Sequence, residues 1–439
     1  MKNIPGIILA FIAVNMFYFP VEYSFFPVSN SKNILAALGA VFLLFSFVHR
    51  REFIVSKDII VLFILSTIVM AFTILSVTYN HTPERSYTAY PVSTLVWLLS
   101  AFGACSLIRF AHGKIDFPLI LDYFCAACIF QCSAALLIRF IPEVRTFVDD
   151  IFIQGQDILH EMDRLYGIGA SLDVAGSRFA CVLAAIPVAL FVDMEKTGWK
   201  KSLLYFFCFL FISGVGSIIA RTTLIGMLVG LMFIGIIVLR DIFSGAASMR
   251  GNLIGMLTLA VVIFIPATVI MYRYSPEMRS LLRFGFEGFF NLFETGEFRT
   301  QSSDLLLDKM IVFPEEVKTY LIGDGYFENS RNDINYLGDS TTLGFYMGTD
   351  VGYLRFIFLF GLPGLIAISL VIIYAAISAA RAFPEYKWVF YLALICGFII
   401  WFKVATDVFP FLAAGIAASL VKDLIDYDEV EEKTDPESV

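Results

Sequence analysis

Apolar residues along this chain fall into long runs, and polar and charged residues are concentrated between them. Crossing the hydrocarbon core of a bilayer takes a helix of about 20 apolar residues. The pattern therefore predicts an all-α polytopic membrane protein with about 12 transmembrane helices, nine within residues 1–272 and three within 351–421. The runs lie near residues 4–20, 33–49, 59–77, 92–110, 117–138, 178–194, 202–220, 223–239, 253–272, 352–377, 388–405 and 408–421.

Two of the connecting segments are long, at about 139–177 and at 273–350. Both mix charged residues with aromatic residues and glycines, which is typical of ordered loops that carry function. In the second, helical patterns at Ser275–Phe293 and Asp304–Thr319 precede a Gly-Asp-Gly turn at Gly323–Gly325. We predict a large, partly helical loop that covers the membrane surface.

Lysine and arginine are unevenly distributed between the short loops on the two sides. One side carries most of them, and the other carries little beyond Lys32 and Arg85. The positive-inside rule then places both termini in the cytoplasm and both long loops on the outer side. The basic side comprises Arg50, Arg51, Lys57, Lys114, Lys196, Lys200, Lys201, Arg240, Arg250, Arg381 and Lys387.

Composition agrees with a membrane location. Of 439 residues, 59% are hydrophobic and 16% are charged, whereas soluble proteins are about half apolar and a quarter charged. The formal charge of -8 argues against nucleic acid as a partner. Residues 422–439 form an acidic tail that we expect to be cytoplasmic, solvated and disordered.

All seven cysteines fall inside apolar runs, where we interpret them as packing residues. The spacing Cys125-x2-Cys128-x3-Cys132 superficially suggests a metal site. Zinc, however, needs ligands that can be deprotonated and a second shell of partners, which an apolar helix does not offer. We therefore predict neither a metal nor another cofactor.

Arginines on the outer side gain nothing from the positive-inside bias and need another explanation. Arg178 opens a predicted span after Asp173-Val-Ala-Gly-Ser, and Arg221 lies between two spans. A guanidinium suits phosphate because its planar fork donates two charge-assisted hydrogen bonds. We predict that both bind pyrophosphate; snorkelling to the interface is the alternative.

The large loop adds Arg273, Arg279, Arg283 and Arg299 as candidate anion-binding residues. Arg279 and Arg283 are four residues apart and therefore share one helical face. Their charges repel unless Glu277 and Glu287 pair with them or an external anion binds.

Asp350 lies where the large loop meets the next span. A carboxylate there can accept a proton or hold an arginine, and it can equally cap the helix. Both roles stay open from the sequence. If Asp350 is not the base, the candidates are Asp324, Asp333 and Asp339.

The topology and two motifs resemble the O-antigen polymerase and O-antigen ligase superfamily of bacterial envelope enzymes. The motifs are Arg221-Thr-Thr-Leu-Ile-Gly226 and the junction from Asp350 to Gly361-x-x-Gly364. Ligases of this superfamily carry a histidine where this chain has Asp350, and its four histidines all lie outside the large loop. The resemblance therefore favours a polymerase of the Wzy type.

The resemblance implies a GT-C-like fold in the bacterial inner membrane. It implies glycosyl transfer between undecaprenyl-diphosphate-linked oligosaccharides on the periplasmic face, without a nucleotide sugar or a metal. Asp350 would then be the catalytic base, the arginines above and Tyr353 would bind substrate and pyrophosphate, and a chain-length regulator is a further expected partner.

Three alternatives remain. A ligase would attach the glycan to lipid A core or to protein. A transporter or lipid-linked oligosaccharide flippase would place more charge at the membrane midplane than Asp122, Gln131 and Lys403 provide. A purely structural scaffold would not account for outer arginines beside hydrocarbon.

Overall fold

A computed structural model describes residues 3–50, 56–161, 164–192, 199–244, 266, 269–270, 272–328 and 345–434 of the protein. This part of the chain is mainly helical, with one small sheet. The first helices are α1 (Ile4–Tyr18), α2 (Ser31–Arg50), α3 (Lys57–Asn80), α4 (Tyr90–His112), α5 (Phe117–Phe140), α6 (Pro142–Ile151), α7 (Gln156–Glu161), α8 (Leu172–Val192), α9 (Trp199–Ile219) and α10 (Thr223–Ser244). They are followed by α11 (Pro276–Gly285), α12 (Glu287–Thr295), α13 (Gln301–Leu305), α14 (Val317–Leu321), α15 (Gly352–Ala382), α16 (Lys387–Ile400) and α17 (Phe409–Thr434). The strands are β1 (Glu22–Tyr23), β2 (Phe26–Asn30) and β3 (Phe152–Ile153).

Within the described residues, eight helices are long and apolar enough to cross a membrane, namely α2, α3, α4, α5, α8, α9, α10 and α15. This confirms the expectation of a multi-pass helical membrane protein. The predicted spans at 4–20, 388–405 and 408–421 correspond to the 15-residue α1, the 14-residue α16 and the start of α17. The span at 253–272 lies mainly outside the described residues, so the count of twelve stays a prediction.

Local sequence signals set the ends of the helices, as the connection between α4 and α5 illustrates. α4 ends where Gly113 takes a left-handed conformation, with φ of 71°, which glycine adopts without steric cost. α5 then starts with the Asp116 carboxylate accepting a hydrogen bond from the Leu119 amide at 2.9 Å, and Pro118 occupies the first turn. Such a cap satisfies an amide that has no partner within the helix.

Small residues allow the central helices to pack closely. A Cβ atom added at Gly226 of α10 would lie 2.2 Å from the Cα atom of Ala180 in α8, and one at Gly39 of α2 would lie 2.0 Å from the carbonyl oxygen of Leu99 in α4. Close approach of backbones through small residues is a typical way for helices to associate in lipid. The core is built around α8, whose residues Phe179–Ile186 are all fully buried.

Six loop segments meet at one end of the helix bundle, which we call the loop-rich end: residues 19–30, 81–89, 141–171, 220–222, 401–408 and the described part of 272–351. Strand β1 pairs antiparallel with both β2 and β3, which joins the first segment to the third. The Glu84 carboxylate accepts hydrogen bonds from the amides of Phe327 and Glu328 at 2.9 and 3.0 Å. These contacts fix segments that are far apart in the sequence.

The predicted helices of the large loop occur, but each is interrupted. The pattern at 275–293 forms α11 and α12, which are separated at Phe286 by non-helical dihedral angles (φ -118°, ψ 26°). The pattern at 304–319 becomes α13, a π-helical turn at Leu306–Met310 and α14. Pro314 lies in the non-helical stretch before α14, where its missing amide costs no helical hydrogen bond.

α15 is a broken helix, and the Gly-Asp-Gly turn packs against the break. Phe360 and Gly361 depart from helical geometry, and Gly361 has φ of 71°. The carbonyl of Phe358 consequently accepts hydrogen bonds from the amides of Asp324 and Gly325 instead, at 2.6 and 3.2 Å. Irregular backbone at membrane depth persists only where protein or water satisfies its polar groups, and here the turn does so.

Candidate functional site

Arg355 is a buried cation in the first turn of α15. Its side chain is 6% exposed, and its guanidinium lies 3.8 Å from the ring centroid of Phe327 and 4.1 Å from that of Phe345. Nη2 donates to the Phe327 carbonyl at 3.2 Å. Nε has no hydrogen-bond partner among the described residues. Arg355 therefore retains a buried donor that is unused in the described structure.

Asp350 faces Arg355, with Oδ1 4.0 Å from Nη1. That oxygen is buried and accepts no hydrogen bond within the described part of the chain. The residue that caps α15 is Val351, and no side chain makes a capping hydrogen bond there. The structure thus does not support the capping role that the sequence left open for Asp350.

Burial, followed by the negative charge of Asp173, raises the pKa of Asp350 to about 6, against the opposing effect of Arg355 and Lys403. Desolvation thus outweighs the cation at 4.0 Å, and the pKa of this carboxyl lies above its ordinary value. A base with a pKa near the working pH is well suited to general base catalysis.

Asp173 and Lys403 form an ion pair beside Asp350. Nζ of Lys403 donates to the two carboxylate oxygens of Asp173 at 2.9 and 3.1 Å. The Thr222 hydroxyl donates to the same carboxylate at 3.0 Å. The pair joins the first turn of α8 to the loop between α16 and α17.

Tyr87 lies between Arg355, which faces Asp350, and a second charged residue, Asp407. It has φ of 63°, an uncommon conformation for a non-glycine residue that costs about 1–3 kcal/mol and is often found at functional sites. Burial and the charge of Asp407 raise the pKa of its hydroxyl, and Arg355 opposes this rise. Tyr87 therefore lies within the electrostatic reach of both Arg355 and Asp407.

Asp407 lies at the loop-rich end, in the loop between α16 and α17. Water reaches this residue, yet burial by surrounding protein is the largest cause that raises its pKa to about 6. The Phe409 amide donates to its carboxylate at 2.6 Å, and the charges of Arg178 and Lys32 also favour the ionised form. We use the name crevice for the group formed by Lys32, Tyr87, Arg178, Asp350, Arg355 and Asp407, which are linked by their electrostatic effects on one another.

Two cations of the crevice share one indole ring. Nζ of Lys32 lies 4.3 Å from the ring centroid of Trp97, and the guanidinium carbon of Arg178 lies 5.9 Å from it. Arg178 is 8% exposed, and its Nε has no hydrogen-bond partner in the described structure. The sequence suggested that Arg178 opens a span, but α8 begins six residues earlier, at Leu172. The sequence-predicted Arg178 is thus a buried cation with an unused donor.

Arg221 is paired within the protein. Its Nε donates to the Phe284 carbonyl at 2.9 Å, and its Nη2 lies 2.5 Å from the Glu287 carboxylate. Both side chains are largely buried, at 16% and 24% exposure. Neither snorkelling nor a free guanidinium describes this arrangement, because Glu287 already occupies part of the anion-binding fork.

Two of the four arginines of the large loop pair with acidic neighbours on the exposed surface. Nη2 of Arg283 donates to both carboxylate oxygens of Glu294 at 2.6 Å each. Arg299 donates from Nε to Asp304 at 3.1 Å. The partner of Arg283 is thus Glu294, and neither Glu277 nor Glu287 takes this place.

The other two loop arginines lie together. Arg279 donates to the carbonyls of Tyr272 and Arg273 at 3.0 and 3.2 Å. Both arginines are exposed, and no contact joins either to the crevice among the residues described. Their assignment to substrate binding stays a prediction.

Tyr353 packs against α16. Its hydroxyl donates to the Phe398 carbonyl at 2.9 Å, and its ring meets that of Trp401 edge to face at 5.7 Å. Its hydroxyl is thus already engaged within the protein.

The structure describes only one of the three alternative candidate bases. The Asp324 carboxylate accepts hydrogen bonds from Lys318 and Thr319 at 2.7 Å each, which connect the turn to α14. Asp333 and Asp339 lie outside the described residues. Asp350 therefore remains the best-placed candidate base.

Sequence reasoning missed Lys32, Tyr87, Asp173, Arg355 and Asp407 as members of one site. A signal existed for some of them: Lys32 is a rare outer lysine, and Arg355 follows Asp350 by five residues. Their convergence depends on how distant loops pack.

Comparison of the chain with family models, with curated proteins and with solved structures found no match in any of the three.

Proposed function

We propose that this protein is a membrane glycosyltransferase that polymerises oligosaccharide repeat units carried on undecaprenyl diphosphate, to form O-antigen, capsule or exopolysaccharide. The observation that carries the proposal is the Arg178 guanidinium, buried and with an Nε donor that is unused in the described structure, beside the half-buried Lys32. Buried cations are costly unless an anion joins them. A lipid-linked diphosphate would bring such an anion to the end of a transmembrane helix.

In this reaction the acceptor hydroxyl attacks the anomeric carbon of the donor sugar. Asp350 takes the hydroxyl proton, a new glycosidic bond forms, and the bond from the anomeric carbon to the diphosphate oxygen breaks. With a pKa of about 6, Asp350 is about nine-tenths ionised at pH 7. Arg178 and Lys32 stabilise the negative charge that develops on the diphosphate, a role for fixed cations in a water-poor site.

Arg355 and the Lys403–Asp173 pair act on Asp350 from two sides. Arg355 and Lys403 keep the pKa of this carboxyl from rising further with burial, whereas the charge of Asp173 raises it. They are positioning residues in this scheme, since no contact of theirs with substrate is needed to tune the base.

The experiment is polymerisation of purified lipid-linked single repeats by the reconstituted full-length protein. Asp350→Asn should lower the rate about 10²–10⁴-fold, as commonly follows loss of a general base. Its melting temperature should stay close to that of the wild type, because Asp350 neither caps α15 nor accepts a hydrogen bond at Oδ1. The control Asp308→Asn removes an exposed carboxyl of the large loop and should leave the rate unchanged. A rate for Asp350→Asn within a factor of a few of wild type would remove Asp350 from the mechanism.

A deletion strain separates polymerase from ligase. Accumulation of single lipid-linked repeats indicates a polymerase, and accumulation of unattached long chains indicates a ligase.

Transport of lipid-linked oligosaccharide is a second candidate, and the break in α15 favours it. Discontinuous helices often form the binding sites of transporters. Vesicles that contain the purified protein would move the labelled lipid between leaflets without lengthening the glycan if this alternative holds. Glycan lengthening without such movement supports the polymerase.

A further inference from the structure

The large loop carries exposed apolar side chains next to α15. Phe313, Val317 and Leu321 are 65%, 73% and 61% exposed, and we call these three residues the apolar stripe. Val317 and Leu321 lie four residues apart in α14 and therefore share one face of it. Exposed apolar groups that lie together mark surfaces that contact a protein or a membrane. The position of the stripe in the fold decides between these two partners.

The stripe lies at the level where the membrane-crossing helices end. α3 ends at Asn80, whose side-chain amide donates to the Gly323 carbonyl at 3.1 Å. Gly323 packs against the break in α15, because a Cβ atom there would lie 2.6 Å from the Phe360 amide nitrogen. At the other end of the same two helices, the Ser378 hydroxyl donates to Asp58 at 2.6 Å. α3 and the part of α15 that follows the break therefore run side by side through the membrane.

The length of α15 agrees with this level. From Gly361 to its end at Ala382, α15 is about 33 Å long at 1.5 Å per residue, close to the hydrocarbon thickness of about 30 Å. The turns that precede the break therefore project beyond the hydrocarbon at the loop-rich end. A Cβ atom at Gly361 would lie 2.8 Å from the Leu321 carbonyl, which places the end of α14 at the membrane boundary.

The stripe also continues an exposed apolar surface of α15. After the break, Leu362, Ile366 and Leu370 are 42%, 60% and 45% exposed, and their spacing of four residues puts them on one face of the helix. An exposed apolar face of a membrane-crossing helix contacts lipid tails. Leu321 adjoins this face at the break, so the stripe extends the lipid contact of α15 onto the large loop.

The other side of α14 is polar and faces the protein. Lys318 Nζ and the hydroxyl of the buried Thr319 both donate to the Asp324 carboxylate at 2.7 Å. These bonds fix α14 with its apolar side outward. Two exposed carboxylates, Glu315 and Glu316, precede α14. Because charged groups are costly within hydrocarbon, they limit insertion to the membrane interface.

We propose that the apolar stripe is a lipid-binding surface, which inserts into the leaflet at the loop-rich end. Its partner is the phospholipid bilayer, and its side chains reach about 5–10 Å into the boundary between headgroups and acyl chains, as amphipathic interfacial helices do. The inference does not depend on the proposed function. It concerns the site nonetheless, because the chain runs from α14 through the Gly-Asp-Gly turn to Phe327, whose ring contacts the Arg355 guanidinium at 3.8 Å.

The test is spin labelling of the full-length protein in phosphatidylcholine nanodiscs. All seven native cysteines are free and buried, so a nitroxide attached to Val317→Cys gives the main signal, and labelled wild type supplies the background. Oxygen dissolves in lipid and a nickel chelate stays in water, so collisions with each show which medium surrounds the label. We expect oxygen to dominate at position 317. The matched control Gln301→Cys replaces an exposed polar residue of α13, where we expect the nickel chelate to dominate.

The outcomes identify what covers the stripe. A label on Val317→Cys that meets the nickel chelate as freely as the label on Gln301→Cys would overturn the proposal, because the stripe would lie in water. Shielding from both reagents would also overturn it. Spin–spin broadening that disappears on dilution with unlabelled protein would then assign the stripe to a second copy of this chain. If Val317→Cys does not give monodisperse protein, Leu321→Cys tests the same stripe with the same expected result.

Discussion

Lys403 binds both carboxylate oxygens of Asp173, at 2.9 and 3.1 Å, across 230 positions of the sequence. The pair ties the start of α8 to the loop that precedes α17, on the side of the site where Asp350 lies. Lys403 and Asp173 act on the pKa of Asp350 in opposite directions. The bond therefore links the packing of the loop-rich end to the protonation of the candidate base.

Lys403→Met should move the acidic limb of the rate profile to higher pH. Lys403 lowers the pKa of Asp350, so its removal favours the protonated carboxyl and raises that pKa above about 6. A base works only when ionised, hence activity would appear at higher pH than in the wild type. The measurement is the pH dependence of polymerisation between pH 5 and 8. Lys309→Met, an exposed lysine of the large loop, is the control, and an unshifted limb in Lys403→Met would show that Asp350 does not govern it.

Arg178 and Arg221 should respond differently to loss of charge. The structure leaves the Nε of Arg178 without a partner and pairs Arg221 with Glu287. Arg178→Gln should therefore weaken binding of lipid diphosphate about tenfold to a hundredfold, the effect of losing one or two charge-assisted contacts. Arg221→Gln should chiefly lower the melting temperature, because it leaves the Glu287 carboxylate without its partner. Equal loss of affinity in both variants would show that Arg221 also holds the diphosphate, as the sequence predicts.

The break in α15 should be sensitive to a single methyl group. A Cβ atom at Gly361 would lie 2.8 Å from the carbonyl group of Leu321, and the residue has φ of 71°. Gly361→Ala should therefore destabilise the protein by about 1–3 kcal/mol through backbone strain and close contact. Gly235 of α10 is the matched control, because no atom lies within 4 Å of its Cβ position. Thermal unfolding in detergent measures both, and a Gly361→Ala variant as stable as Gly235→Ala would contradict the role of the break.

Much of the fold follows from hydropathy, because a bilayer requires long apolar helices. The eight long apolar helices of the described structure lie at predicted spans, and the Gly-Asp-Gly turn at 323–325 also occurs, with positive φ at both glycines. The points at which helices are interrupted were harder to predict. The separation of α11 from α12 at Phe286 depends on tertiary packing, since a Cβ atom at Gly285 would already touch Ile218 of α9 at 3.0 Å.

Site residues could be predicted from the sequence only where a charged residue lies next to a predicted transmembrane helix. Arg178 and Asp350 were selected from the sequence because each is a charged residue at the edge of a predicted span. No sequence pattern singles out Asp407 or Tyr87 as a candidate site residue. Only the structure shows that burial raises their pKa values. The pairing of Arg221 could not be predicted, since its partner Glu287 lies 66 positions away and no local pattern indicates the pair.

The orientation of the loop-rich end can be tested by cysteine labelling. All seven native cysteines are free and buried, so an impermeant maleimide should label the native protein weakly. The lysine and arginine bias predicts that the large loop is periplasmic, and Ser302→Cys should then react in intact spheroplasts. Lys387→Cys, an exposed position at the opposite end of the bundle, should react only after the membrane is ruptured. The reverse pattern would place the crevice in the cytoplasm, where a periplasmic polymerase could not act.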